Sequence, residues 1–196
     1  MITMLLTSAT TGTSPSRPKL LSRLARLDVA VSATISGRWP HPRWFTVPLS
    51  GLSLTANYGL LWFAIAAVPW LVGERNSAAR FIYIAAPVFA TEIITVLIKN
   101  VFGRRRPSQK NPDTPAQIPL PRSHSFPSSH ASMGMVGLLA VSHLYPAWLP
   151  ALAVLVLLLA FSRVYLAVHY LSDAIVGLAL GAVLGLGYLY VALHWL

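Results

Sequence analysis

The chain has 196 residues, a net charge of +10 and no cysteine, and 55% of it is apolar and only 10% charged, against about 25% charged in a soluble domain. That length suits one domain, and a mean hydropathy of +0.62 leaves too little polar surface to cover a water-soluble fold. The absence of cysteine excludes disulfides, thiolate metal sites and cysteine nucleophiles, and the basic excess lacks the interleaved aromatics of a nucleic-acid surface.

Met1 to Leu6 is too short an apolar stretch for a signal peptide, and no charged region precedes it. Thr7 to Pro18 is rich in Ser, Thr and Pro, so residues 1–19 are expected to be disordered and 20–196 to form one membrane domain. From Leu20 to Ser36, apolar residues at helical spacing interleave with Arg23, Arg26 and Asp28, which predicts an amphipathic helix lying on the membrane surface or packed on the bundle. A proline-rich turn follows through Trp39, Pro40, His41 and Pro42.

A spanning helix needs about 20 mostly apolar residues. The runs Ala56–Gly73, Ala79–Ile98, Ala131–His143, Trp148–Leu166 and Ala174–Leu196 are the candidates, the third being short. The expected fold is therefore an all-α polytopic bundle of five spans, six if the amphipathic helix inserts. Gly177, Gly181 and Gly185, four residues apart, allow close helix approach, either inside the bundle or in a dimer through the last helix. No P-loop, HExxH or GxSxG occurs.

Threading these runs through a membrane brings three polar clusters to one face. Lys99 to Pro107 follows the second run and carries Lys99, Arg104, Arg105 and Arg106, cations suited to phosphate oxygens but also common beside membrane helices. Pro127, Ser128, Ser129 and His130 open the third run, where free N–H groups of a first turn attract anions and a histidine beside them can act as a general acid; an ordinary serine cap with an interfacial histidine reads the same way. Ser162, Arg163, His169 and Asp173 lie between the last two runs. If that stretch is helical, Asp173 shares a face with His169 and can fix its tautomer, making the other ring nitrogen nucleophilic; a satisfied core histidine is the alternative. Glu92, seven residues before Lys99, would pair with a cation or line the pocket.

Taken together, Lys99-x6-Arg106-Pro107, Pro127-Ser128-Ser129-His130 and Ser162-Arg163-x5-His169-x3-Asp173 resemble the three-part signature of the type 2 phosphatidic acid phosphatase family. The resemblance implies a lipid phosphate phosphatase without metal or cofactor. It implies that His169 attacks phosphorus, that Asp173 orients it, and that His130 protonates the leaving group and then activates water. Lys99, Arg106, Ser128, Ser129 (through its N–H) and Arg163 would bind the phosphate. Ser129 stands where the family usually has glycine, and Arg104 and Arg105 fall outside the motif, with at most a steering role. The implied partners are a lipid phosphate and membrane lipids. Phosphatidic acid, phosphatidylglycerol phosphate and polyprenyl-linked phosphates all remain open as substrates.

Vanadium haloperoxidases share the constellation but are soluble and larger. A non-catalytic lipid-binding protein on the same fold would be expected to have lost His169, His130 or Asp173. Arg17, Lys19, Arg23, Arg26, Arg38 and Arg43 lie on the site's side, against Arg75 and Arg80 with Glu74 opposite. The positive-inside rule thus predicts a site on the cytoplasmic face, and the high Ala, Leu, Val and Arg content points to a bacterial inner membrane.

Overall fold

The computed structural model describes residues 19–111 and 113–195. The expected disordered segment falls outside them except for Lys19, which opens the first helix. No strand occurs among the described residues. The helices are α1 (Lys19–Ala33), α2 (Arg43–Thr55), α3 (Leu60–Leu71), α4 (Ser77–Phe102), the short α5 (Pro107–Lys110), α6 (Ser129–Leu144), α7 (Leu149–Tyr165) and α8 (Leu171–Trp195).

Among the described residues, three helical stretches are long and apolar enough to cross a membrane: Ser77–Lys110, Pro146–Tyr165 and Leu171–His194. Arg43–Thr55 and Asn57–Leu71 form a pair bent by 59° that makes a fourth crossing if taken together. The sequence reading missed α2 and began its first span at Ala56. In the structure Ala56 is buried at a break, where Tyr58 and Gly59 both adopt positive φ. These left-handed residues turn the chain between α2 and α3.

Helix α6 is the hub. It is buried along most of its length and packs against α4, α7 and α8. Its 16 residues rise only about 24 Å. Because lipid tails are as apolar as the helices, close approach and dispersion hold such a bundle together rather than water exclusion. The glycines provide that approach. A methyl at Gly181 would meet the Ser132 carbonyl oxygen at 2.3 Å, and one at Gly177 would meet the Ser128 carbonyl oxygen at 2.6 Å. The glycine stripe of α8 thus faces α6 inside the chain.

Pro87 interrupts α4 and has no N–H for the Tyr83 carbonyl. The Tyr188 hydroxyl of α8 donates to that carbonyl instead, at 2.9 Å, so a backbone group freed at membrane depth keeps a partner. Helix α1 exposes Leu20, Leu24, Leu27 and Val31, while its other face meets α5 and α8. Its two sequence readings are therefore compatible: an apolar outer face, and packing on the bundle.

Candidate active site

The C-terminal ends of α4 and α7 and the N-terminal ends of α6 and α8 converge as the threading predicts, and the segment between α5 and α6 closes over them. Gln117 N–H donates to the Leu166 carbonyl and Ile118 joins a buried cluster with Leu49, Tyr165 and Val168. Gln117 and Ile118 thus tie that segment down as a strap. Beneath it lies a cavity of about 580 Å³, lined by Lys99, Arg106, Ser129, His130, Arg163 and His169 among others.

Lys99, Arg106 and Arg163 are 3%, 1% and 1% exposed. The Lys99 Nζ donates to the His124 carbonyl at 3.1 Å. Arg106 is clamped by carbonyls: Nε and Nη2 donate to Ser123 O at 3.1 and 3.0 Å, and Nη1 to Val168 O at 2.8 Å. Arg163 Nη1 donates to the Ser53 hydroxyl, while its Nε and Nη2 have no partner. The Ser128 hydroxyl, at the N-terminus of α6, is also buried without a partner. These are spare donors beside a helix N-terminus, the arrangement that binds an oxyanion.

His169 is 1% exposed. Its Nε2 lies 3.2 Å from Arg106 Nη1. A guanidinium only donates, so Nε2 carries the lone pair and Nδ1 carries the proton. Nδ1 lies 3.5 Å from Asp173 Oδ2. Burial first, and then the charges of Arg106, Lys99 and Arg163, push His169 well below the usual histidine range. His130 Nε2 lies 3.0 Å from the Ser53 carbonyl. That oxygen only accepts, so Nε2 is protonated and Nδ1 is the free nitrogen of the neutral ring.

One expectation needs correction and two are narrowed. His169 and Asp173 do not share a helix. Ala167 has a φ of 60°, α7 has already ended, and the N–H groups of Val168 and His169 both bond to the Arg163 carbonyl. His169 sits in that turn and Asp173 in the first turn of α8. Ser129 directs its hydroxyl to Thr95 Oγ1 at 3.0 Å, leaving its backbone N–H as the group available to an anion. Glu92 is half-buried, lines the cavity and makes no ion pair with any described cation.

Arg104 does more than steer: its Nη1 donates to Asp173 Oδ1 at 2.6 Å and to Ser172 Oγ at 2.8 Å, and its Nη2 to Asp28 Oδ2 at 2.7 Å. Sequence reasoning also missed Ser53, which holds both Arg163 and His130, and Ser125, whose hydroxyl donates to Asp173. Ser53 carried no signal beyond its place beside an apolar run. Arg104 had one, its adjacency to Arg106.

No group of three His, Cys, Asp or Glu side chains that could hold a metal ion is found among the described residues.

Known proteins resemble the chain in sequence and in fold. The model of the PAP2 superfamily matches residues 78–195. Decaprenylphosphoryl-5-phosphoribose phosphatase of Mycobacterium tuberculosis H37Rv is 32% identical over 170 residues, covering 85% of this chain and 91% of that protein. Undecaprenyl-diphosphatase of Sulfolobus acidocaldarius is 31% identical over 141 residues, covering 68% and 66%. The fold matches the crystal structure of the first transmembrane PAP2-type phosphatidylglycerolphosphate phosphatase from Bacillus subtilis, with a TM-score of 0.72 at 20% identity over 89% of this chain and 88% of that one. With three helices long and apolar enough to cross a membrane and a family model matched over residues 78–195, the chain is an integral membrane protein and belongs to the PAP2 superfamily.

Proposed function

We propose that this protein is a metal-independent lipid phosphate phosphatase that acts through a phosphohistidine on His169, with a polyprenyl-phosphoryl sugar phosphate as its substrate. The observation that carries the reading is the contact between Arg106 Nη1 and His169 Nε2 in a buried, cation-lined cavity. It leaves a neutral imidazole with its lone pair directed to where a phosphate would sit.

An entering phosphate takes the donors of Arg106, Arg163, Lys99 and Ser128 and the N–H of Ser129. This frees His169 Nε2 to attack phosphorus in line. Charge gathers on the equatorial oxygens, where preorganised donors act most strongly. Asp173 stabilises the imidazolium that forms. His130, anchored through Nε2 to Ser53, takes a proton onto its free Nδ1 from the entering phosphate monoanion and gives it to the leaving alkoxide. It then takes one from the water that releases phosphate.

The lipid side of the proposal rests on the cavity mouth. Leu54, Tyr58 and Val96 line it and are exposed, so a prenyl chain can leave between the α2–α3 break and α4. The sugar phosphate rests on the named relatives. The bent α2–α3 pair would be one span and α6 another, giving five with α4, α7 and α8. The N-terminal basic residues favour a cytoplasmic site in a bacterial inner membrane.

The test is phosphate release by the purified protein in detergent with EDTA, wild type beside His169→Ala. The lipids are phosphatidic acid, phosphatidylglycerol phosphate, a polyprenyl diphosphate and a polyprenyl-phosphoryl sugar phosphate. Release that survives EDTA, vanishes in the variant and is fastest on the last lipid supports the reading. Release that persists without His169 contradicts the mechanism, and no release from any lipid leaves only binding.

A further inference from the structure

Asp28 lies on α1, upstream of the segment that matches the family model. Yet it is wired to the site. Its Oδ1 accepts the Ser172 N–H at 2.8 Å, and its Oδ2 accepts the Ser172 hydroxyl at 2.6 Å and Arg104 Nη2 at 2.7 Å. Arg104 gives its other terminal nitrogen to Asp173 and lies 4.0 Å over the Tyr170 ring. One planar guanidinium therefore spans two carboxylates, Asp28 being 12% exposed and Asp173 fully buried.

We propose that Asp28 is a positioning residue for His169, acting through Arg104 on Asp173, an inference that rests on His169 being the nucleophile. Arg104 alone would draw the charge of Asp173 away from His169 and weaken its hold on the imidazolium. Asp28 shares that guanidinium and so returns charge to Asp173. It also fixes the fork on Asp173 Oδ1, while Oδ2, held by the Ser125 hydroxyl and the Tyr170 N–H, stays 3.5 Å from His169 Nδ1. The apolar outer face of α1 (Leu20, Leu24, Leu27, Val31) thus belongs to a helix whose inner face sets the nucleophile's partner. Because the imidazolium exists only after attack, Asp28 acts on kcat rather than on KM.

The experiment compares steady-state phosphate release and thermal unfolding of the full chain in detergent for wild type, Asp28→Asn, Arg104→Ala, their double variant, Ser32→Ala and His169→Ala. Asparagine keeps the shape and an acceptor for Ser172 but removes the charge. Asp28→Asn is expected to lower kcat about tenfold with KM within about twofold, as loss of an outer partner of a site residue typically does. The double variant is expected to lose little more than the worse single one, since the two act as a unit. Ser32 is the control, because it anchors the same helix by accepting Leu171 N–H at 2.9 Å without touching the charged chain. Ser32→Ala is expected to lower the unfolding temperature and keep kcat.

Wild-type kcat in Asp28→Asn, with His169→Ala inactive, overturns the inference alone. So do equal kcat losses in Asp28→Asn and Ser32→Ala, or additive losses in the double variant. Release that survives His169→Ala overturns the nucleophile and this inference with it.

Discussion

The two ends of the bundle are built from the same kinds of residue and behave differently. At the far end, Glu74 accepts from both Arg80 and the Tyr145 hydroxyl, and Arg80 also donates to Tyr145 at 2.8 Å. The triad is closed, and the ion pair is 37% and 32% exposed, so water screens it. At the site end, Lys99, Arg106 and Arg163 are buried, while the nearby Asp173 is shared with Arg104. Buried charge without a partner is costly by several kcal/mol per ion. A phosphate that enters such a place offsets a cost already built into the fold. Both ends place arginine beside a carboxylate; burial and incomplete pairing set them apart.

Substitutions sharpen that contrast. The largest effect is expected at His130. His130→Ala should lower kcat/KM by about 10²–10⁴, the usual range for a positioned acid–base group, and by much less on an aryl phosphate, whose leaving group needs no proton. Equal losses on both would assign His130 to structure. Arg163→Ala should lower kcat/KM by about 10²–10³ in initial-rate assays, and Arg163→Lys should restore little, because a point charge cannot replace a fork that also holds Ser53. A loss of only twofold would move the anion site elsewhere.

The next effect is on pH. Burial and three cations lower the His169 pKa, so the ring stays neutral below the normal value of about 6.5, and the acid limb of kcat/KM that it sets should lie below that value. The same sign holds for stability. The unfolded chain takes up the His169 proton first, so this contribution is complete above about 6.5 and falls away as pH drops. An acid limb at or above 6.5 would mean that the cations do not surround the ring. The smallest effect is at the far end, where Arg80→Ala should leave kcat unchanged and shift thermal unfolding little; a large loss of activity would erase the distinction between the two ends.

Much of the site was legible because phosphate chemistry needs particular side chains at ends of helices, and those ends can be counted along the chain. Lys99, Arg106, His130, Arg163, His169 and Asp173 stand out for that reason, and threading brings them to one face. What was not legible depends on packing between distant segments. Asp28 meets Ser172, and Ser53 meets both Arg163 and His130, across sequence gaps that no local pattern bridges. The helical link from His169 to Asp173 failed because Ala167 takes a left-handed turn that its side chain does not announce. The α2–α3 break was hidden in the same way, since Tyr58 is an ordinary residue at a positive φ.

The central claim is that His169 itself carries the phosphoryl group. It is tested most directly by reacting the protein with ³²P-labelled lipid substrate in EDTA and quenching within a turnover. The label on the protein is then measured after acid and after alkali; a parallel reaction of His130→Ala with a ³²P-labelled aryl phosphate, whose leaving group needs no proton, slows hydrolysis of the intermediate without blocking its formation. The account predicts label that survives alkali, is lost in acid and is absent from His169→Ala. Turnover without any such label, or label that remains in His169→Ala, would contradict it.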